Sequence, residues 1–129
     1  MEDLSTYLTL YQYCSNDDDL VKKYKVARNC CAAVAELHEI NIVHGDLSSE
    51  NILINGLTSE VKLIDFDMSS IEDTSIIAGG NPDFISEKLS EQIDKGKKIK
   101  SSKKNDLYSL AVCCYLLVGD EGKTFFISL

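Results

Sequence analysis

The stretch from residue 43 to residue 67, VHGDLSSENILINGLTSEVKLIDFD, constrains the fold of this chain more than any other. It sets His44, Asp46, Asn51 and Asp65 in polar gaps between apolar runs. Asp46 and Asn51 stand five positions apart on what must be a loop. Residues 52–54 read as a short strand, 56–59 as a turn and 61–64 as a second strand, which Asp65 follows directly. A hairpin of this size returns Asp65 to the side of Asn51. A base-like carboxylate, an amide oxygen and a metal-binding carboxylate then converge at one edge of a small sheet.

The rest of the chain must supply the body that holds this edge. Its 129 residues suit one domain with a core of its own. Hydrophobic residues make up 44% and charged residues 26%, the balance of a globular chain rather than a disordered one. A net charge of −8 excludes general nucleic-acid binding. Of the five cysteines, Cys30-Cys31 and Cys113-Cys114 are adjacent pairs inside apolar runs. Neighbours on a helix point to different faces and rarely bridge. No CxxC or Cys/His ligand spacing is present, which speaks against zinc. Reduced, buried thiols fit an intracellular protein, cytoplasmic or nuclear. The first residues, MEDLSTYLTLYQY, lack the basic region and apolar core of a signal peptide. The longest apolar run, residues 110–118, has nine residues, against the roughly 20 that span a bilayer, so no membrane partner is expected.

Taken in order, Leu4, Tyr7, Leu8, Leu10 and Tyr11 have helical spacing, which predicts a helix over 4–13. Ser15 and Asp18 are placed to cap the next helix, which runs from about 17 to 40. Its apolar stripe is Leu20, Tyr24, Ala27, Cys31 and Val34, with Cys30 and Ala35 beside it. Asn41 is a left-handed stop, and His38 is placed to cap carbonyls near the helix end. Residues 68–81 carry Ser69, Ser70, Thr74 and Ser75 and show no periodicity. Residues 95–104, KGKKIKSSKK, hold six lysines and read as a solvated loop, with an acidic-substrate docking patch or a nuclear signal as alternatives. Asp106 then opens the most apolar helix, apolar on every face and therefore expected at the centre of the core.

These motifs resemble the protein kinase family. The family's catalytic loop H-R-D-L-x-x-x-N is matched by His44-Gly45-Asp46-Leu47-Ser48-Ser49-Glu50-Asn51, and its D-F-G by Asp65-Phe66-Asp67. Gly80-Asn81-Pro82-Asp83-Phe84 and Asn105-Asp106-Leu107-Tyr108-Ser109-Leu110 resemble the end of the activation segment and the start of the family's central helix. The resemblance implies a mainly α, α+β-family fold: a helical domain like the kinase C-terminal lobe, with a short β-hairpin carrying the catalytic loop and the metal-binding Asp. It covers nearly all of residues 1–129 as a partial kinase domain, from a hinge-like start through the central helix. The glycine-rich loop and V-A-I-K-like lysine of the family's N-terminal lobe, roughly 80 residues, do not precede the long helix. The expectation is a chain without that lobe, or one served by a separate N-lobe-like partner.

The resemblance also implies roles. The cofactors are ATP and Mg²⁺, and the acceptor is a protein hydroxyl, Ser/Thr rather than Tyr. Asp46 orients the hydroxyl and accepts its proton. Asn51 and Asp65 hold Mg²⁺ beside the nucleotide through hard oxygen donors. His44, Phe66 and Asp106 are supports, Asp106 by hydrogen-bonding the backbone of the catalytic loop. The chain departs from the pattern at four places. Gly45 replaces the Arg that pairs with an activation-segment phosphate, and the chain's only arginine is Arg28 on the long helix. Phosphorylation within 68–81 is therefore not expected to order the loop through an arginine clamp. Ser48 replaces the Lys that donates to the transferred phosphate. Asp67 replaces the Gly of D-F-G and is expected to keep its backbone shape, because Asp tolerates positive φ. Ser86-Glu87-Lys88 stands where the family writes Ala-Pro-Glu. Two alternatives stay open beside the protein kinase. One is a pseudokinase or scaffold that acts on a partner protein without turnover. The other is an atypical or small-molecule kinase, since those families often write His-Gly-Asp.

Overall fold

The computed structural model describes residues 5–16 and 19–128, with side chains for 5–14 and 19–119. In chain order the elements are β1 (Tyr7–Thr9), α1 (Leu10–Asn16), α2 (Leu20–Glu39), β2 (Ile42–Val43), β3 (Ile52–Asn55), β4 (Val61–Leu63), β5 (Ser70–Ile71), β6 (Ser75–Ile77), a 3₁₀ turn (Pro82–Phe84), α3 (Glu87–Asp94), β7 (Lys98–Lys100) and α4 (Lys103–Ser128). The last helix is broken at Gly119, whose φ of 63° and ψ of −152° are not helical. Among the described residues no helix is long and apolar enough to cross a membrane.

The expected hairpin is present. β3 and β4 pair antiparallel with Ile52 opposite Leu63 and Ile54 opposite Val61. Its turn closes on the Asn55 side chain, whose Oδ1 accepts from the backbone N–H of Leu57 and Thr58, and on Ser59 at φ 65°. Asn29 of α2 donates to the Ser59 carbonyl at 2.8 Å and ties the turn to the long helix. The two strands do not stand alone. Residues 7–9, predicted as part of a helix, form β1 and add a third strand beside β3, with Leu8 opposite Ile54. Helix α1 begins only at Leu10. Tyr7 and Thr9 stand at i, i+2, the spacing of one strand face, and the free edge of the hairpin decided for the strand. Leu4, the first residue of the predicted helix, lies outside the described residues.

Helix α2 starts three residues later than expected, behind Asp19, whose Oδ1 accepts from Val21 N and Lys22 N. Asp18 lies outside the described residues. Asn41 ends the helix in the left-handed conformation at φ 61°, as its sequence predicts. The buried face is Val26, Cys30 and Val34: Val34 belongs to the predicted stripe and Cys30 to its flank, Tyr24 and Ala27 pack against the core's edge, and Val26 takes the place expected of Cys31. Tyr24 and Ala27 are half-buried, and Cys31 is exposed. The core gathers Leu10, Val26, Cys30, Ile52, Ile54 and Leu117 between the three-stranded sheet, α2 and α4. Ile52 and Ile54 are fully buried, each contributing about 1.5–3 kcal/mol by leaving water.

Helix α4 opens at Lys103, a turn before Asp106, and is not buried all round. Leu110, Cys113, Leu117 and Val118 enter the core, while Leu107 and Leu116 are about half exposed at 51% and 48%. The lysine-rich stretch is not a solvated loop. Lys98–Lys100 is strand β7, paired antiparallel with β6 so that Ile99 meets Ile76 and the flanking lysines point to water. The apolar–polar alternation of Lys98-Ile99-Lys100 is the signal for that strand. Residues 68–81 are likewise organised by backbone pairing, β5 with β2 and β6 with β7.

Candidate active site

The loop between β2 and β3 carries His44, Asp46 and Asn51, and Asp65 follows β4. Because Ile52 pairs with Leu63, the next step of the ladder joins Ile64 N to the Asn51 carbonyl at 3.0 Å, which brings Asp65 to the mouth of that loop. The Asn51 side-chain amide turns inward and donates from Nδ2 to the Asp46 carbonyl (2.8 Å) and to Asp46 Oδ2 (3.2 Å). Its Oδ1 is the acceptor left to the site. Asp65 is exposed, sits at φ 60° and accepts weakly from Asp67 N at 3.4 Å. Positive φ thus falls on Asp65, whereas the expectation placed it on Asp67, which is not among the positive-φ residues. Partial burial, and then the negative charge of Asp65, hold the Asp46 carboxyl above the usual carboxylate range. The Asn51 amide, donating to the carboxylate, pulls it part of the way back.

His44 is fully buried, with both ring nitrogens engaged. Nε2 faces the Ile64 carbonyl at 2.8 Å and must donate there, while Nδ1 accepts from Asp46 N at 3.1 Å. These partners select the neutral Nε2–H tautomer and leave no nitrogen to carry a proton elsewhere. The Phe66 ring lies against it, centroids 4.9 Å apart. His44 therefore ties the loop before β3 to the end of β4 and orients Asp46 through its backbone.

Asp106, 1% exposed, holds the loop from below. Oδ2 accepts from His44 N at 2.7 Å and Oδ1 from Gly45 N at 3.0 Å. His38 Nε2 lies 2.8 Å from Oδ2, so the ring is the third donor to this carboxylate. His38 was expected to cap its own helix, and no local signal joins it to a residue 68 positions away. Gly45 also has a reason of its own. Its φ is 85°, and a Cβ built there would overlap the Met68 carbonyl oxygen. Arg28 lies on α2, in the groove facing α4. Ser48 is buried, its Oγ accepting from Glu50 N at 3.3 Å as a turn cap.

The protein kinase domain family matches residues 2–126. A calcium/calmodulin-dependent serine/threonine-protein kinase of Malus domestica is 36% identical over 98 residues, which are 72% of this chain and 22% of that protein. The serine/threonine-protein kinase kin-29 of Caenorhabditis elegans is 33% identical over 121 residues, 83% of this chain and 14% of that protein. The solved structure of the Cydia pomonella granulovirus kinase PK-1 superposes with a TM-score of 0.67 over 93% of this chain and 46% of its own, at 17% identity, and shares the fold. The chain thus spans under a quarter of these two cellular kinases. With the family matched across almost its whole length and the loop, hairpin and central helix in the family's order, this chain belongs to the protein kinase domain family.

Proposed function

We propose that residues 1–129 form the catalytic, C-terminal-lobe part of a protein kinase that transfers the γ-phosphoryl group of ATP to a Ser or Thr hydroxyl of a protein substrate. One observation carries this reading: Asp46, Asn51 and Asp65 meet at one edge of the β3–β4 hairpin, with the Asn51 amide nitrogen bound to Asp46 and its oxygen left over. The Asp46 carboxylate accepts the proton of the substrate hydroxyl and orients the oxygen for in-line attack. Its position comes from His44 and Asn51, and its basicity is enhanced by burial and by Asp65. Asn51 Oδ1 and the Asp65 carboxylate are hard oxygen donors and fit Mg²⁺, which is held by one or two carboxylates together with substrate phosphates. Bound there, Mg²⁺ would neutralise phosphate charge. Among the described residues no set of three or more His, Cys, Asp or Glu side chains could hold a metal by itself.

The test is thermal unfolding with ATP, with and without Mg²⁺. At a nucleotide concentration of 100 Kd the folded state gains about 2.7 kcal/mol. The expected result is a Mg²⁺-dependent rise in Tm that Asp65→Asn removes. No rise, and no change in Asp65→Asn, would sink the reading for this chain. A second reading, a scaffold without turnover, is favoured by the buried Ser48, which leaves no donor to the transferred phosphate two residues after Asp46. Nucleotide binding without phosphate transfer to any peptide acceptor would select it.

A further inference from the structure

The displaced stripe on α2 leads to a second site. The core takes Val26, Cys30 and Val34, so Tyr24, Ala27 and Cys31 are left on the neighbouring face. On α4, Leu107, Ala111 and Cys114 run at comparable helical spacing. These two faces line one apolar groove of about 570 Å³ between the helices. The contact of His38 Nε2 with Asp106 Oδ2 at 2.8 Å places the start of α4 beside the end of α2. The helices then run antiparallel. Two turns back from His38 is Cys31, and two turns on from Asp106 are Cys113 and Cys114. Cys113 turns into the core, and Cys114 sits at the core's edge where the groove begins. Cys31 and Cys114 thus oppose one another across the groove, Cys31 on the solvent side.

The chemistry of the two thiols is unequal. A hydrogen bond from Cys114 holds the Cys31 thiol down to about 6, against the opposing effect of burial. The same bond, with burial, pushes Cys114 strongly up. Of the two, Cys31 is the thiol that solvent reaches, and Cys114 is buried behind it. Arg28 and Tyr24 are the titratable side chains that face the groove with them. An exposed thiol shifted toward its thiolate, opposite a buried second thiol, is the arrangement of an attacking and a resolving cysteine.

We propose that Cys31 and Cys114 are a reversible thiol–disulfide pair that reacts with low-molecular-weight disulfides of the glutathione class. The Cys31 thiolate attacks one sulfur of the external disulfide, whose S–S bond breaks and releases one thiolate. Cys114 then gives its proton to solvent, and its sulfur attacks Cys31 Sγ. The mixed disulfide breaks, and the second external thiolate leaves and takes up a proton. Two protein thiols are oxidised to one disulfide, and one external disulfide is reduced to two thiols. The new bond joins α2 to α4 two turns from the His38–Asp106 contact. Helix α2 leads through β2 into His44, and α4 carries the carboxylate that holds His44 and Gly45. The new bond would thus tie together the two helices that hold the His44–Asn51 loop.

The test uses the full chain in native buffer with excess oxidised glutathione, followed by alkylation of remaining thiols and peptide mapping without reductant. The expected product is a single Cys31–Cys114 disulfide that dithiothreitol reverses, with Cys14, Cys30 and Cys113 recovered as thiols. Cys114→Ser is expected to stop at a glutathione adduct on Cys31, and Cys31→Ser to give neither adduct nor disulfide. Three results in the wild-type chain would each overturn the proposal, whether or not the serine variants fold. These are a glutathione adduct that persists on Cys31 while Cys114 stays reduced, a disulfide between any other pair, and five unreacted thiols.

Discussion

Replacing Asp106 tests the claim that one buried carboxylate holds the loop that carries His44 and Asp46. Asp106→Ala leaves His44 N, Gly45 N and His38 Nε2 without the acceptors now at 2.7, 3.0 and 2.8 Å. The two backbone donors are fixed by the loop, and His44 is fully buried, so water cannot replace the carboxylate freely. An orphaned buried donor costs about 1–3 kcal/mol, and bonds to a charged acceptor stand at the upper end of the range. Two such donors, with some relief from the His38 ring, 11% exposed, turning to solvent, give a loss on the order of 3–5 kcal/mol. Against the ~5–15 kcal/mol that holds a domain together, that is a large share. At ~4 °C per kcal/mol for a chain of this size, Tm falls by roughly 12–20 °C. Asp106→Asn is expected to fall nearly as far, because its Nδ2 faces an N–H instead of accepting from it. His38→Ala removes only one donor and is expected to cost about 1–2 kcal/mol. Thermal and urea unfolding followed by circular dichroism supply all three values. The reasoning is refuted if His38→Ala costs as much as Asp106→Ala, or if Asp106→Asn stays within about 1 kcal/mol of wild type. The first outcome would make the ring contact the source of the stabilisation, and the second would show that the backbone bond lost to Nδ2 contributes little.

Two further outcomes follow from the same geometry. The Asp46 carboxyl is raised by burial and by Asp65, so its titration, read by carbon NMR, is expected to lie above the usual value of about 3.9 and to fall back in Asp65→Asn. Because the folded-state value is raised, the folded chain binds this proton more tightly than the unfolded chain. The associated stabilisation is present at low pH and is lost as pH rises through the folded value. An Asp65→Asn variant that titrates higher than wild type contradicts this account. Gly45→Ala puts a side chain at φ 85° against the Met68 carbonyl, and unfolding should show a loss of about 2 kcal/mol or more. Gly45→Arg, which restores the family's usual residue, should also destabilise, and a gain in Tm for either variant would show that the loop and Met68 are free to separate.

Residues 43–67 made the site legible because its parts are local. Five positions separate Asp46 from Asn51, and a short hairpin returns Asp65 to Asn51, so spacing alone brings them together. Asn41 as a helix stop was readable for the same reason, since left-handed φ is a property of residue type. The family resemblance added Asp106 as a support for the loop backbone, although it lies 62 positions from His44. His38 as a donor to the same carboxylate had no such signal, because the contact exists only when two helices pack antiparallel. The sequence also could not say which face of α2 is buried. Positions i, i+3, i+4 and i+7 define several overlapping stripes in an apolar helix, and the partner helix selects one. It selected Val26, Cys30 and Val34, and left Cys31 facing Cys114 across an open groove. Strand β1 and the β6–β7 pair were decided in the same way, by a free sheet edge and by a neighbouring strand. The sequence by itself thus determined the local placement of Asp46, Asn51 and Asp65 and the family. Tertiary structure decided which faces meet, because burial depends on what a surface packs against and residue spacing carries only the period.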